Sequence, residues 1–165
     1  MKHFLLLAAA LGLVLGCGGS EGPSAEMTGD EARARASALI PEAKVKEVVK
    51  HPEPGIVHWM VTMTMPSGGE LAVEYDAGNG ELDEIEAEKG PFDYDLSPRK
   101  DVIKLSEARG KALAVKTGNI EVWEYQARKV RWEFYIRDRD GHLWEIIMGA
   151  TDGKISTVVE KAVPD

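Results

Sequence analysis

Two stretches of this chain carry apolar residues at the same spacing, and this internal repeat constrains the fold more than any other feature. At a separation of 73 positions, apolar and glycine residues of the first stretch match those of the second. The matching residues are Val57, Trp59, Val61, Leu71, Tyr75 and Gly80 in the first stretch and Val130, Trp132, Phe134, Trp144, Met148 and Gly153 in the second. One constant separation across several segments indicates a duplicated structural unit.

Each copy is expected to begin with a helix. Thr28, followed three residues later by Glu31, is typical of a capping box, and Pro41 would stop the helix that follows. In the second copy, Ser106 is the predicted N-cap, and Gly118 is predicted to take the left-handed conformation that often follows a helix.

Each copy then changes to the period of a β-strand. Residues 57–63 and 130–136 alternate between apolar and polar side chains, which predicts half-buried strands joined by hairpins at turn sequences. We therefore predict an α+β fold of two tandem repeats, each a helix packed on an antiparallel sheet of about four strands. The predicted segments are a signal peptide at 1–16, a flexible tether at 17–26, repeats at 27–88 and 104–165, and a linker at 89–103.

The motifs of both copies resemble the PepSY domain. The helix start, the hairpin and the sequence Asp-Ala-Gly-Asn-Gly-Glu at residues 76–81 carry the resemblance, and Gly149 replaces the aspartate in the second copy. The resemblance implies a helix packed on an antiparallel sheet, similar to the cystatin arrangement. It also implies a role outside the membrane in binding or restraining peptidases, and it provides no catalytic residues to transfer.

The first 17 residues predict export. Lys2 is followed by an apolar run over residues 4–15, which is too short to cross a bilayer and is typical of a signal peptide. The sequence Val-Leu-Gly-Cys ending at Cys17 resembles the lipobox of bacterial lipoproteins. This resemblance implies cleavage before Cys17 and lipidation of that residue. The alternative is an ordinary signal peptide with a stray cysteine.

The residues after Cys17 bear on the compartment. Residues 18–25 are rich in glycine, serine and proline, which predicts a flexible spacer between the anchor and the folded part. Gly18 stands where some lipoproteins carry an aspartate that retains them in the inner membrane. By resemblance to that sorting rule, we expect a lipid anchor in the cell envelope, on the periplasmic side of the outer membrane if the source is Gram-negative.

The charge of the chain excludes some partners. Acidic residues outnumber lysine and arginine by 28 to 20, which gives a formal net charge of −8. A negative surface repels phosphate, so we expect no nucleic-acid partner and no polybasic contact with a membrane surface. With 44% hydrophobic residues, the chain has enough apolar side chains for a core.

No catalytic motif is recognisable in the sequence. His51, His58 and His142 are interpreted as surface residues, and no nucleophile elbow, zinc-binding motif or phosphate loop accompanies them. The acidic sequence at residues 138–141 fails the register of a calcium loop, and the one at residues 93–95 could hold a cation only weakly. Both are interpreted as solvated turn and linker residues. We therefore predict that the protein is not an enzyme and that it has no cofactor and no metal site.

Two aromatic residues are the candidate partner-binding site. Trp123 and Tyr125 fall on the opposite parity from Ile120 and Val122, so they could form an exposed aromatic patch. The alternative is that they pack between the two copies. The other tryptophans, Trp59, Trp132 and Trp144, are predicted to lie in the core.

These features together predict a non-catalytic, lipid-anchored binding module of the cell envelope. Its expected partner is an envelope protein or a peptidase whose activity it would modulate. The alternative prediction is an envelope lipoprotein that binds a small ligand or a cation in the groove between the copies.

Overall fold

The computed structural model describes residues 26–162, and its strands form one eight-stranded antiparallel sheet in the order β1 to β8. The elements in chain order are α1 (Gly29–Leu39), β1 (Lys44–Glu53), β2 (Ile56–Thr64), β3 (Glu70–Asp76), β4 (Leu82–Lys89), α2 (Leu105–Val115), β5 (Asn119–Gln126), β6 (Arg131–Arg137), β7 (Leu143–Gly149) and β8 (Ile155–Lys161). Among the described residues, no helix is both long and apolar enough to cross a membrane.

The prediction of two tandem helix-on-sheet repeats is wrong, because the strands of both halves belong to a single sheet. β4 pairs with β5 from Glu84 opposite Gln126 to Ala87 opposite Trp123. This pairing satisfies backbone N–H and C=O groups that two separate sheets would leave open along an edge. It also makes one continuous apolar face.

The two halves of the sheet nevertheless share their pairing register. Trp59 lies opposite Tyr75 in the first half, and Trp132 lies opposite Met148 in the second, with both residues of the pair displaced by 73 positions. The third and fourth strands of each half shift register at the same place, after Glu74 in the first and after Ile147 in the second.

The core lies between one face of the sheet and the two helices. Each helix faces the sheet with small side chains, Ala32 and Ala36 in α1 and Ala108 and Ala112 in α2, all of which are fully buried. Small residues let a helix approach the strands closely. The sheet contributes the large fully buried side chains Val61, Met63, Ile85, Trp123, Tyr125, Trp132, Phe134, Ile136, Ile146 and Met148.

The helix ends confirm one predicted cap and contradict two. The Thr28 side chain accepts a hydrogen bond from the backbone N–H of Glu31, and the Glu31 side chain accepts one from the N–H of Thr28, which confirms the capping box. Ser106 is not the N-cap of α2; its backbone and hydroxyl groups both donate to Asp95. The backbone of Gly118 does not take the predicted left-handed conformation. A Cβ there would lie 2.2 Å from the Arg137 carbonyl oxygen, so close approach of two backbones requires this glycine.

Residues 90–104 join the halves by packing on the sheet beside the helices. Leu96 and Val102 are buried, and the Tyr94 ring meets the Trp123 ring edge to face with a centroid distance of 6.2 Å. The segment therefore covers the joint between β4 and β5 on the core side of the sheet. It does not cover the opposite face.

Candidate binding face

The face of the sheet opposite the helices, here called the open face, carries a row of glutamates. Side chains alternate along each strand, so the neighbours of buried core residues in β3 to β6 point to this face. In the cross-strand register, Glu74 lies opposite Glu84, Glu86 opposite Glu124, and Glu124 opposite Glu133. We call these five residues the carboxylate ladder. It crosses the joint between the two halves of the sheet.

The middle of the ladder is crowded. Oxygen atoms of Glu84, Glu86 and Glu124 lie within 4.8 Å of one another, and all three side chains are half-buried. Burial, with the neighbouring carboxylates Glu124 and Glu86, raises the pKa of Glu84 to about 8. Burial, followed by the charge of Glu124, raises the pKa of Glu86 to about 7. Burial also raises the pKa of Glu74 and of Glu124.

Basic groups lie at both ends of the ladder. At one end, the Nδ1 atom of His58 lies 3.9 Å from Oε2 of Glu74. At the other end, Glu133 is 3% exposed and forms an ion pair with Arg131. Arg131 also donates to Gln126, and Gln126 donates to Glu124 at 3.1 Å. Within residues 26–162, no lysine, arginine or histidine lies within 4.0 Å of a carboxylate oxygen of Glu84 or Glu86. Like charges that face each other across strands destabilise a sheet, so this region favours protons or an external cation.

His58 is buried, and the prediction that it is a surface residue is wrong. It is 3% exposed, and its Nε2 atom lies 2.8 Å from Oδ2 of Asp83. Arg128 in the turn after β5 contacts both Asp83 and Asp76 at 2.7 Å. These contacts connect β2, β3 and β4 to the turn after β5 in the second half of the sheet.

The acidic turn after β6 is held by its own hydrogen bonds. Asp138 accepts from the Trp144 ring N–H at 2.8 Å and from the backbone N–H groups of Asp140 and His142. These bonds, led by that of Trp144, lower the pKa of Asp138 to about 2. Asp138, Asp140 and His142 also have ligand atoms within 4.8 Å of one another, but the Asp138 oxygens already serve the turn.

Trp123 and Tyr125 do not form the predicted exposed patch. Both are 0% exposed, and Trp123 packs against Tyr94 and Trp132. The parity rule failed because β5 contains a bulge between Ile120 and Val122, which turns the later residues of the strand to the core. The spacing of the apolar residues was a signal for this bulge. Ile120 and Trp123 are three positions apart, and so are Val45 and Val48, which flank the bulge of β1 and also pack against the core.

The remaining tryptophans divide between core and rim. Trp132 is fully buried, as predicted. Trp59 and Trp144 are half-buried, so the prediction that they are core residues holds only in part. Trp59 donates its ring N–H to the Met27 carbonyl at 2.7 Å, and the Lys116 ammonium lies 3.2 Å from the centroid of the Trp144 ring.

A cleft of about 740 Å³ lies where α1, the segment 90–104 and the turns after β3 and β5 meet. Arg35, Arg99 and Arg128 stand around apolar side chains that include Leu39 and Leu82. Arg35 donates to the Gly80 carbonyl and Arg99 is paired with Asp101, so these guanidinium groups are already used in part.

The comparisons with known proteins identify no family. No family model matches the chain, and no curated protein matches it. Among solved structures, the chain is similar to a candidate lipoprotein from Clostridium difficile 630, with 15% identity, a TM-score of 0.38, and coverage of 80% of this chain and 91% of that chain. At this identity and TM-score, the likeness supports no inference about activity or anchoring. The predicted lipidation site, Cys17, lies outside the described residues.

Proposed function

We propose that this chain is a lipid-anchored, non-catalytic binding module of the cell envelope that receives a cationic segment of another protein on its open face. The observation that carries the proposal is the carboxylate ladder, which lies on the face that the helices leave uncovered. Export and anchoring rest on the leader and on Cys17.

A lysine- or arginine-rich segment suits this face physically. Its charges would replace the protons that the raised pKa values of Glu84 and Glu86 favour near neutral pH, and would offset the repulsion between these carboxylates and Glu124, whose oxygens lie within 4.8 Å of theirs. Charge complementarity of this kind raises association rates and selects against acidic partners. The net charge of −8 acts in the same direction at longer range.

The anchor has a direct test. We expect mass spectrometry of the protein purified from its native envelope to show a chain that begins at Cys17 and carries acyl groups. The Cys17→Ser variant should remain unprocessed or leave the membrane fraction. An unprocessed leader on the native protein would contradict the anchor and would leave the proposal for the open face intact.

The binding proposal predicts a selective loss of affinity. A peptide of alternating lysine and threonine would be titrated calorimetrically into the mature chain at low salt, where charge contacts are least screened. We expect the triple variant E84Q/E86Q/E124Q to bind the peptide at least about tenfold more weakly than the wild type, because it removes the middle of the ladder.

The matched control changes the same number of charges elsewhere. Asp30, Glu42 and Glu107 are exposed and do not lie on the strands, and D30N/E42Q/E107Q should change the affinity by less than about threefold, since only long-range attraction is lost. Equal losses in the two triple variants would show that net charge alone attracts the peptide. That result would remove the open face from the proposal.

The peptidase version of this function rests on the PepSY resemblance, which no family model supports. It predicts that an excess of the mature chain slows an envelope peptidase. Unchanged turnover at high excess would eliminate this version, whereas the binding proposal would stand.

The small-ligand or cation alternative stays a prediction. Carboxylates alone suit hard cations such as Ca²⁺ and Mg²⁺. The cleft lined by Arg35, Arg99 and Arg128 would be the place for an anionic small ligand. Calorimetric titration with Ca²⁺ tests the cation version, which a lack of heat and an unchanged melting temperature would exclude.

A further inference from the structure

The sheet has two outer strands, and they differ in how they are protected. Within residues 26–162, β1 pairs only with β2 and β8 pairs only with β7. The free side of an outer strand presents unpaired N–H and C=O groups that can bind another strand. Natural sheets usually block such edges with lysines, prolines, bulges or short strands.

β1 carries most of these devices. A bulge interrupts its register between Val45 and Glu47, and Pro52 removes a backbone donor near its end. Its lysines are Lys44, Lys46 and Lys50. A strand added beside β1 would meet a row of charged side chains and a kinked backbone.

β8 is less protected, with a bulge at its start and the charged residues Glu160 and Lys161 at its end. Its register shift places an extra residue at Ser156, and residues 157–161 then pair regularly with β7. This regular segment contains no proline. Its first three residues, 157–159, are uncharged, and its charged residues are Glu160 and Lys161. Val158 and Val159 are 40% and 41% exposed, and with Val115 they are the large hydrophobic side chains that the described chain exposes.

We propose that β8 is a dimerisation edge, at which residues 157–161 of two copies of this chain pair antiparallel across a two-fold axis. The axis stands perpendicular to the sheet, so the helices of both copies lie on the same face. In such a pairing, the side chains of two directly opposite residues point to the same face of the sheet. When all five residues of each strand pair, Val159 of one copy lies at the axis, opposite Val159 of the other copy.

The segment is complementary to itself in this register. Val158 of one copy lies opposite Glu160 of the other, and Thr157 lies opposite Lys161, so no two like charges face each other. Pairing would cover both exposed valines of the strand. The outer strands of the resulting sixteen-stranded sheet would be the two copies of β1, whose lysines and proline prevent further addition, so association stops at two.

The pairing uses only five residues in each strand, so the dimer is expected to be weak and dependent on concentration. Sedimentation equilibrium of the mature chain from about 5 to about 500 µM should show the average mass rising from one copy towards two. A wild-type chain that stays monomeric throughout this range would overturn the proposal.

Charge substitutions at the axis test the register. Val159→Lys and Val159→Glu each place like charges opposite each other, so each variant alone should be monomeric. An equimolar mixture of the two should dimerise again, because lysine then faces glutamate. Val115→Lys, which changes the exposed valine of α2, should dimerise like the wild type.

Each variant must first show an unchanged circular dichroism spectrum and a cooperative melt, since a misfolded variant would also lose dimerisation. Hydrogen exchange supplies a second readout on the wild type. Amides of residues 157–161 should exchange more slowly at high than at low protein concentration, whereas those of β1 should not change. A dimer that Val159→Lys leaves intact would overturn the proposal.

Discussion

We expect Trp132→Ala to lower the free energy of unfolding by about 3–5 kcal/mol, the range found when a large buried aromatic side chain is removed. Trp132 is fully buried, and its ring centroid lies 5.0 Å from that of Tyr125, 5.9 Å from that of Trp123 and 6.4 Å from that of Phe134. The substitution would leave a cavity inside this aromatic cluster, which supports the joint between the two halves of the sheet.

Urea unfolding followed by far-ultraviolet circular dichroism would measure the effect, because tryptophan fluorescence itself changes in the variant. Trp132→Phe is the matched control. It keeps most of the packing and removes a buried ring N–H that has no hydrogen-bond partner among the described residues, so it should cost less than half as much. A loss below about 1 kcal/mol for Trp132→Ala would contradict the central role of this residue.

The second large effect concerns pH. The pKa of Glu84 is raised to about 8 and that of Glu86 to about 7, compared with 4.5 for an unperturbed glutamate. Between pH 4.5 and the raised pKa values, the folded chain binds more protons than the unfolded chain. The free energy of unfolding therefore falls as the pH rises through this range. We expect a loss of about 2 kcal/mol between pH 5 and pH 9, after allowing for the partial solvation of both groups.

The double variant E84Q/E86Q should remove most of this slope and should be more stable than the wild type at pH 9. At pH 4, where both glutamates are protonated in either state, the two proteins should differ little. E42Q/E47Q is the control and should keep the slope of the wild type, since both of its positions are exposed. A wild type whose stability did not change between pH 5 and pH 9 would contradict the burial of the ladder.

At low pH the opposite dependence should appear. The pKa of Asp138 is lowered to about 2, chiefly by the hydrogen bond from Trp144, so its contribution to stability is lost as the pH falls through that region. The same unfolding series, extended to acid, should therefore show maximum stability near pH 4–5. The two trends together confine the best conditions for the fold to mildly acidic solution.

Local signals in the sequence were sufficient for the individual helices and strands. The capping box at Thr28 depends on residues only three positions apart, and α1 begins where it predicts. The alternation around Trp59 and Trp132 depends on the period of the strand itself. Gly68 and Gly141 take positive φ values in the predicted hairpin turns.

The bulge in β5 decided between the two predictions for Trp123 and Tyr125: the exposed patch is wrong, and the alternative that both residues are packed agrees with their burial. One extra residue in β5 reverses the parity of the strand, so Trp123 and Tyr125 lie in the core instead of on the surface. The proximity of Glu86 to Glu124 could not be read from the sequence, because these residues are 38 positions apart and meet only when β4 pairs with β5. The burial of His58 follows in the same way from its contact with Asp83.

The sequence by itself determined the repeated order of a helix and four strands, because capping, turn formation and side-chain alternation act over a few neighbouring residues. Only the tertiary structure decided that the eight strands form one sheet, because β4 gains backbone hydrogen bonds and β5 gains a covered aromatic surface when the two strands meet. That single joint also brings together the glutamates of the carboxylate ladder, and so it created the candidate binding face.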